Sequence, residues 1–132
     1  MVPPPQALGL TLCDRVIIEQ GTKNPTLIST FLARKVEEFP SEPVAFSAFV
    51  PLTGSSGTGK IELVAVRLDT LEQIYSQQGE VSFPDRLAVV HAHFRVSKIR
   101  FPTPGFYTFM LLVDGDLIAQ RRIEVYQREA LS

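Results

Sequence analysis

Two histidines spaced two residues apart, His91 and His93, are side chains with the makings of chemistry. On an extended chain, positions i and i+2 share a face, so both imidazoles project the same way, as ligands to one metal must. They are the only histidines in the sequence, and the next acidic residue after them is Asp114. A mononuclear site would need carboxylates from neighbouring strands or a second chain, and an outward-facing polar pair is the plainer reading. The string Gly54-Ser-Ser-Gly-Thr-Gly-Lys60 has the spacing of a phosphate-binding loop, whose backbone N–H groups wrap phosphates at a helix N-terminus. Here Ile61 stands where a Ser or Thr would bind magnesium, and the residues after it alternate as a strand does. An exposed, mobile hairpin loop is expected instead. Cys13 would need a lowered pKa to act as a nucleophile, yet Asp14 beside it has the wrong sign, although Arg15 shares its side. A small buried hydrophobe is the better account of it. No Ser/His/Asp set stands out. The reading is therefore no catalytic residue and no cofactor, with a metal-dependent or nucleotide-binding enzyme as the alternative, resting on His91/His93 or on residues 54–60.

The elements that would hold these residues follow from composition and pattern. A chain of 132 residues suits one domain spanning 1–132, with a Pro-rich lead-in at 1–6 and a tail at 127–132. At this size roughly two-thirds of the unfolded surface is buried, enough for a core without staples. Thirteen basic against 14 acidic residues give a formal net charge of −1, so no overall field draws nucleic acid or anionic lipid. Arg121-Arg122 and the Arg95, Lys98, Arg100 group alternate between faces and make no continuous basic stripe. One cysteine cannot form an internal disulfide, no secretory leader is visible, and no apolar run approaches the ~20 residues of a membrane helix. A soluble, cytoplasmic protein is expected.

Turn residues divide the rest. Leu8 to Glu19 is apolar and β-branched and closes on Gly21 to Pro25, and Thr26 to Val36 reads as one strand paired back on it. Val44, Phe46, Ala48, Val50 and Leu52 share a face, as do Ala88, Val90, Ala92, Phe94 and Val96, which sends Val89, His91, His93 and Arg95 outward. Residues 69–79 carry local helix signals, with Glu72 three places after Asp69, but sheet topology favours a turn at 69–72 followed by a strand. The count comes to about eight short strands with no long helix, an all-β, antiparallel sandwich.

The stretch from Phe101 to Tyr126 is the strongest single element. Asp114-Gly115 between two apolar runs signals a tight hairpin, and Pro102, Pro104 and Gly105 form the corner before it. Its Pro-Gly-x-Tyr-x-Phe lead, Pro104 to Phe109, resembles the tyrosine corner of immunoglobulin-like sandwiches, without the Cys that follows the Tyr in antibody domains. Together with Leu12-Cys13-Asp14, the Glu19/Gly21 turn, Phe39-Pro40, Leu112 to Gly115 and Ala119, this stretch resembles a family of small uncharacterised bacterial proteins. That resemblance implies a bacterial source and a compact β-sandwich. It implies no activity.

Within the hairpin Tyr107, Phe109, Leu111 and Val113 face inward, leaving Phe106, Thr108, Met110 and Leu112 outside. Three of those four are apolar where a solvated face would read polar. With Ile118 and Tyr126 from the returning strand, Phe106, Met110 and Leu112 are the expected protein interface. The functional expectation is a non-enzymatic module that binds a protein partner or itself, as a two-fold homodimer, and neither nucleic acid nor membrane.

Overall fold

Alternating apolar side chains decide most of this chain, because a strand with one buried face repeats every second residue. The computed structural model describes residues 2–127. Ten strands are found there: β1 (Gln6–Ala7), β2 (Thr11–Ile18), β3 (Pro25–Thr30), β4 (Ala33–Val36), β5 (Val44–Thr53), β6 (Gly57–Arg67), β7 (Gln73–Phe83), β8 (Val90–Ile99), β9 (Gly105–Val113) and β10 (Asp116–Gln127). Among the described residues there is no helix. The all-β expectation holds, with ten strands where about eight were expected.

Two five-stranded sheets share one core. In the first, β5 is central, with β8 along one edge and β2 then β3 along the other. β1 pairs the far end of β5 at Thr53 and Leu52. The second sheet runs β4-β10-β9-β6-β7. The sheets interlock through aromatic rings: Phe46 of β5 meets Phe109 of β9 edge-on, with centroids 5.5 Å apart. Both rings are fully buried, and each contributes on the order of 1.5–3 kcal/mol by leaving water.

Residues 26–36 depart from expectation. β3 does pair back on β2, with Ile28 opposite Arg15, but the chain then changes sheets. The Phe31 amide still donates to Leu12 O of the first sheet, at 3.0 Å, while Leu32 O already accepts from Glu124 N of the second, also at 3.0 Å. β4 then lies parallel to β10, Ala33 opposite Glu124 through Val36 opposite Gln127, so the structure is not wholly antiparallel. Phe31 anchors the crossing by stacking edge-on against Phe46 at 5.4 Å. The lead-in is likewise not a free extension. Pro5 is buried, and Pro3 O accepts a 2.8 Å hydrogen bond from Ser55 Oγ. Of the expected tail, Gln127 closes β10 and the remainder lies outside the described residues.

The turns behave as their residues require. Asp114 and Gly115 both have positive φ, +49° and +87°, the pair needed by a tight hairpin turn. Asp114 is tied to β6 twice: its Oδ1 accepts the Lys60 N–H at 3.0 Å and its own N–H donates to Lys60 O at 2.8 Å. At the other end Tyr107 Oη donates to Thr103 O at 2.6 Å, closing the corner over four residues. Residues 69–79 form the turn plus strand. The Leu71 N–H donates to Arg67 O, and the Arg67 guanidinium holds Asp69 at 3.3 Å and Glu72 at 3.7 Å, after which β7 begins.

Candidate functional site

The second sheet turns one face to the core and the other outward, and pairing register fixes what the outer face contains. Leu112 of β9 lies opposite Glu62 of β6, which lies opposite Gln78 of β7. The next outward row is Gln120, Met110, Val64 and Ser76, and the one after it brings Arg122, Thr108 and Val66 together. Phe106 closes the series at 44% exposure, with the Arg122 guanidinium 4.9 Å from its ring centroid. Met110 and Leu112 are half-buried, whereas Val64 is covered by its neighbours. The result is an apolar stripe bordered by polar side chains.

Four of the five expected interface residues belong to this surface. Phe106, Met110 and Leu112 form the stripe, and Tyr126 shares the outward parity of Arg122 and Glu124 at the edge beside β4. Ile118 does not belong there. The β9–β10 pairing shifts register between Leu117 and Ala119, and the extra residue turns Ile118 onto the core. Val64 and Val66 were missed. Their signal was present, since inward Ile61, Leu63 and Ala65 place Glu62, Val64 and Val66 on the outer side.

The outer face of the first sheet is built differently. Cys13 of β2 lies opposite Ser47 of β5, and Ser47 lies opposite Arg95 of β8. Ser47 Oγ is 3.1 Å from His93 Nε2 and accepts from Arg95 Nη1 at 3.2 Å, while Arg95 also donates to Asp14 O. Phe49 lies beneath both imidazoles, its ring 5.0 Å from His91 and 6.4 Å from His93. So the structure brings Cys13 and Ser47, distant in sequence, onto one face with His91 and His93. Only Ser47, His93 and Arg95 bond one another there, while Cys13 Sγ reaches Arg15 O and both imidazoles keep an exposed edge. Ser47 is 1% exposed, which leaves no room for a substrate at its hydroxyl, and Arg95 already donates to that oxygen. Burial, then the Arg95 charge, holds the His93 imidazole below its ordinary value. Burial, then the Asp14 charge, pushes the Cys13 thiol up, away from the reactive thiolate. Among the described residues no group of three or more His, Cys, Asp or Glu side chains is placed to hold a metal ion.

Residues 54–60 form a corner rather than a long loop. Gly57 to Lys60 are already in β6, paired with Phe83 to Glu80, and Ser55 and Gly59 are buried. The Gly54 N–H donates to Arg86 O at 3.2 Å, and Thr53 Oγ1 donates to Ala88 O at 2.9 Å. Strand follows this corner where a phosphate-binding loop needs a helix N-terminus, so it forms no such cradle.

A family of unknown function, DUF6941, matches residues 8–126. The chain belongs to that family. Membership agrees with the resemblance to proteins of no assigned activity. No curated protein matches the chain. Among solved structures, the alkylpurine DNA glycosylase AlkC of Pseudomonas fluorescens, bound to DNA containing an abasic site analogue, is similar over 71% of this chain and 27% of that one. Identity there is 10% and the TM-score 0.47. A β-glucosidase of Kluyveromyces marxianus is similar over 69% of this chain and 14% of its own, at 10% identity and a TM-score of 0.40. The DUF6941 chain thus spans only a small part of either protein, and neither likeness bears on its activity.

Proposed function

We propose that this DUF6941 chain is a non-enzymatic protein-binding module whose working surface is the outer face of the second sheet, and that its partner there is a second copy of itself. The observation that carries the reading is the apolar stripe of Phe106, Met110 and Leu112 beside Val64 and Val66, with Glu62, Gln78, Gln120 and Arg122 around it. An apolar centre inside a polar border is the anatomy of a specific protein contact. A two-fold contact is the commonest way for one such patch to be used by two identical chains. The module acts in a bacterial cytoplasm and takes neither nucleic acid nor membrane, a reading supported by the near-neutral charge and the absence of a basic stripe.

The finer reading of the fold is immunoglobulin-like. It is supported by the Tyr107 bond to Thr103 O and by the β10-β9-β6-β7 order, which follows the G-F-C-C′ arrangement of such domains. Neighbours β2, β5 and β8 correspond to A, B and E, and β4 is added beside β10. Co-expression of two differently tagged copies tests the functional reading. The untagged-for-capture copy is expected to co-elute, and Leu112→Glu in either copy ends co-elution while far-UV circular dichroism stays unchanged. Copies that never co-elute, or co-elution untouched by a folded Leu112→Glu, overturn self-association through this face.

A further inference from the structure

We propose that the free edge of β7 is a strand-addition site for an extended protein segment carrying a lysine or arginine. A sheet edge presents unpaired N–H and C=O groups, and proteins blunt such edges with short strands, prolines, bulges or charges, lysine above all. Four of the five edges among the described residues are blunted in these ways. β1 has 2 residues. β4 has 4 residues. β3 opens on Pro25 and is interrupted by Ser29, whose φ is +57°. β8 carries Arg95 and Lys98. β7 is different. It has 11 residues, no proline, no basic side chain and a single charge, Glu80. Its pairing to β6 runs unbroken from Tyr75 opposite Ala65 to Phe83 opposite Gly57, the one register shift lying before this run, between Gln73 and Tyr75. Among the described residues, only β6 pairs with it.

What kind of strand fits is set by the depression alongside. A hollow of about 540 Å³ lies over β6 and β7, lined by Lys60, Glu62, Gln78, Glu80, Leu112 and Asp114 among others. Three carboxylates there face one ammonium. One carboxylate oxygen of Asp114 takes the Lys60 amide, and Ser76 Oγ donates to Glu62, neither of which neutralises the charge. A strand added to β7 would lie about 4.8 Å beyond it, with alternate side chains on the outer side beside Gln78 and Glu80. A long basic side chain in that row reaches back past Glu80 into the hollow. Main-chain bonds then supply affinity, and the acidic hollow supplies the choice of residue. A second copy of β7 is a poor occupant, since two such strands meeting antiparallel bring two Glu80 carboxylates and no cation. The hollow shares Glu62, Gln78 and Leu112 with the contact proposed above, but the edge of β7 itself lies outside that stripe.

The probe is a fluorescein-labelled, end-capped peptide, Thr-Val-Thr-Arg-Thr-Val-Thr, with a matched peptide bearing Glu in place of Arg. Anisotropy at low salt is expected to show saturable binding of the Arg peptide, at least about tenfold tighter than the Glu peptide, because unlike charges attract and like charges repel across such a contact. The preference weakens with added salt and disappears in Glu80→Lys, an exposed position whose change leaves the fold intact. Amide NMR shifts caused by the Arg peptide concentrate on β7. Equal binding of the two peptides, no saturable binding, or shifts centred on β3 or β8 overturn the proposal. So do concentration-dependent shifts of β7 amides without peptide, which would mean that copies pair through this edge.

Discussion

The two outer faces of this molecule come from the same kind of sheet and are finished in opposite ways. On the first, every outward side chain near the centre is engaged: Ser47 binds His93 and Arg95, Arg95 reaches Asp14 O, and Phe49 is covered by the imidazoles. On the second, Met110, Leu112 and Val66 offer apolar side chains with only partial cover, beside the buried Val64. A buried polar group is costly unless it is hydrogen-bonded, so a polar face that satisfies itself has little to gain from a partner. An apolar face gains by being covered. The residues with the most chemical promise, Cys13, Ser47 and the two histidines, therefore lie on the face whose central polar groups already bond one another, and the plainer face is the one proposed to bind.

The largest expected effect lies between the faces. Phe109→Ala removes the ring that joins the sheets and should cost about 3–5 kcal/mol, read from a chemical-denaturation midpoint. An unchanged midpoint would mean that the inward and outward sides of β9 have been exchanged, and the comparison with them. Next in size, Tyr107→Phe leaves Thr103 O without its donor and should cost about 1–2 kcal/mol in the same measurement.

Acid sharpens the contrast. Because burial and Arg95 depress the His93 imidazole in the folded chain, the unfolded chain binds that proton more readily. Stability from this group is complete above the ordinary histidine value of about 6.5 and is lost as pH falls through the depressed native value. Wild type should therefore lose more stability than His93→Gln between about pH 7.5 and pH 5. Equal losses would mean that burial and Arg95 do not hold down the His93 imidazole. The smallest effect is chemical: Cys13, fully buried, should resist a disulfide reagent at neutral pH until denaturant is added. Reaction at the rate of a free thiol would show the first face to be open.

Much of this was legible because the decisive signals were local. The parity of β9 and of β8 followed from alternation, and the Asp114-Gly115 turn followed from residues that tolerate positive φ. The split of residues 26–36 was not legible. No Pro or Gly marks the change of sheets at Phe31 and Leu32, and the partners that draw β4 away lie on β10, near the end of the chain. Ile118 was misplaced for a related reason: one bulged residue reverses the parity of all that precedes it, and nothing in Asp116-Leu-Ile-Ala announces a bulge. The 54–60 string misled in its extent, since its glycines serve a corner and the start of β6. The first-face network was invisible because β2, β5 and β8 bring its members together only in the fold.

The central claim is that the second face is the one that binds, and light scattering on wild type and Met110→Glu tests it most directly. Wild type is expected to show the mass of a dimer in the micromolar range, and Met110→Glu that of a monomer with unchanged far-UV circular dichroism, because a lone charge cannot be desolvated within the contact. A wild type that stays monomeric at high concentration, or a folded Met110→Glu that stays dimeric, would contradict it.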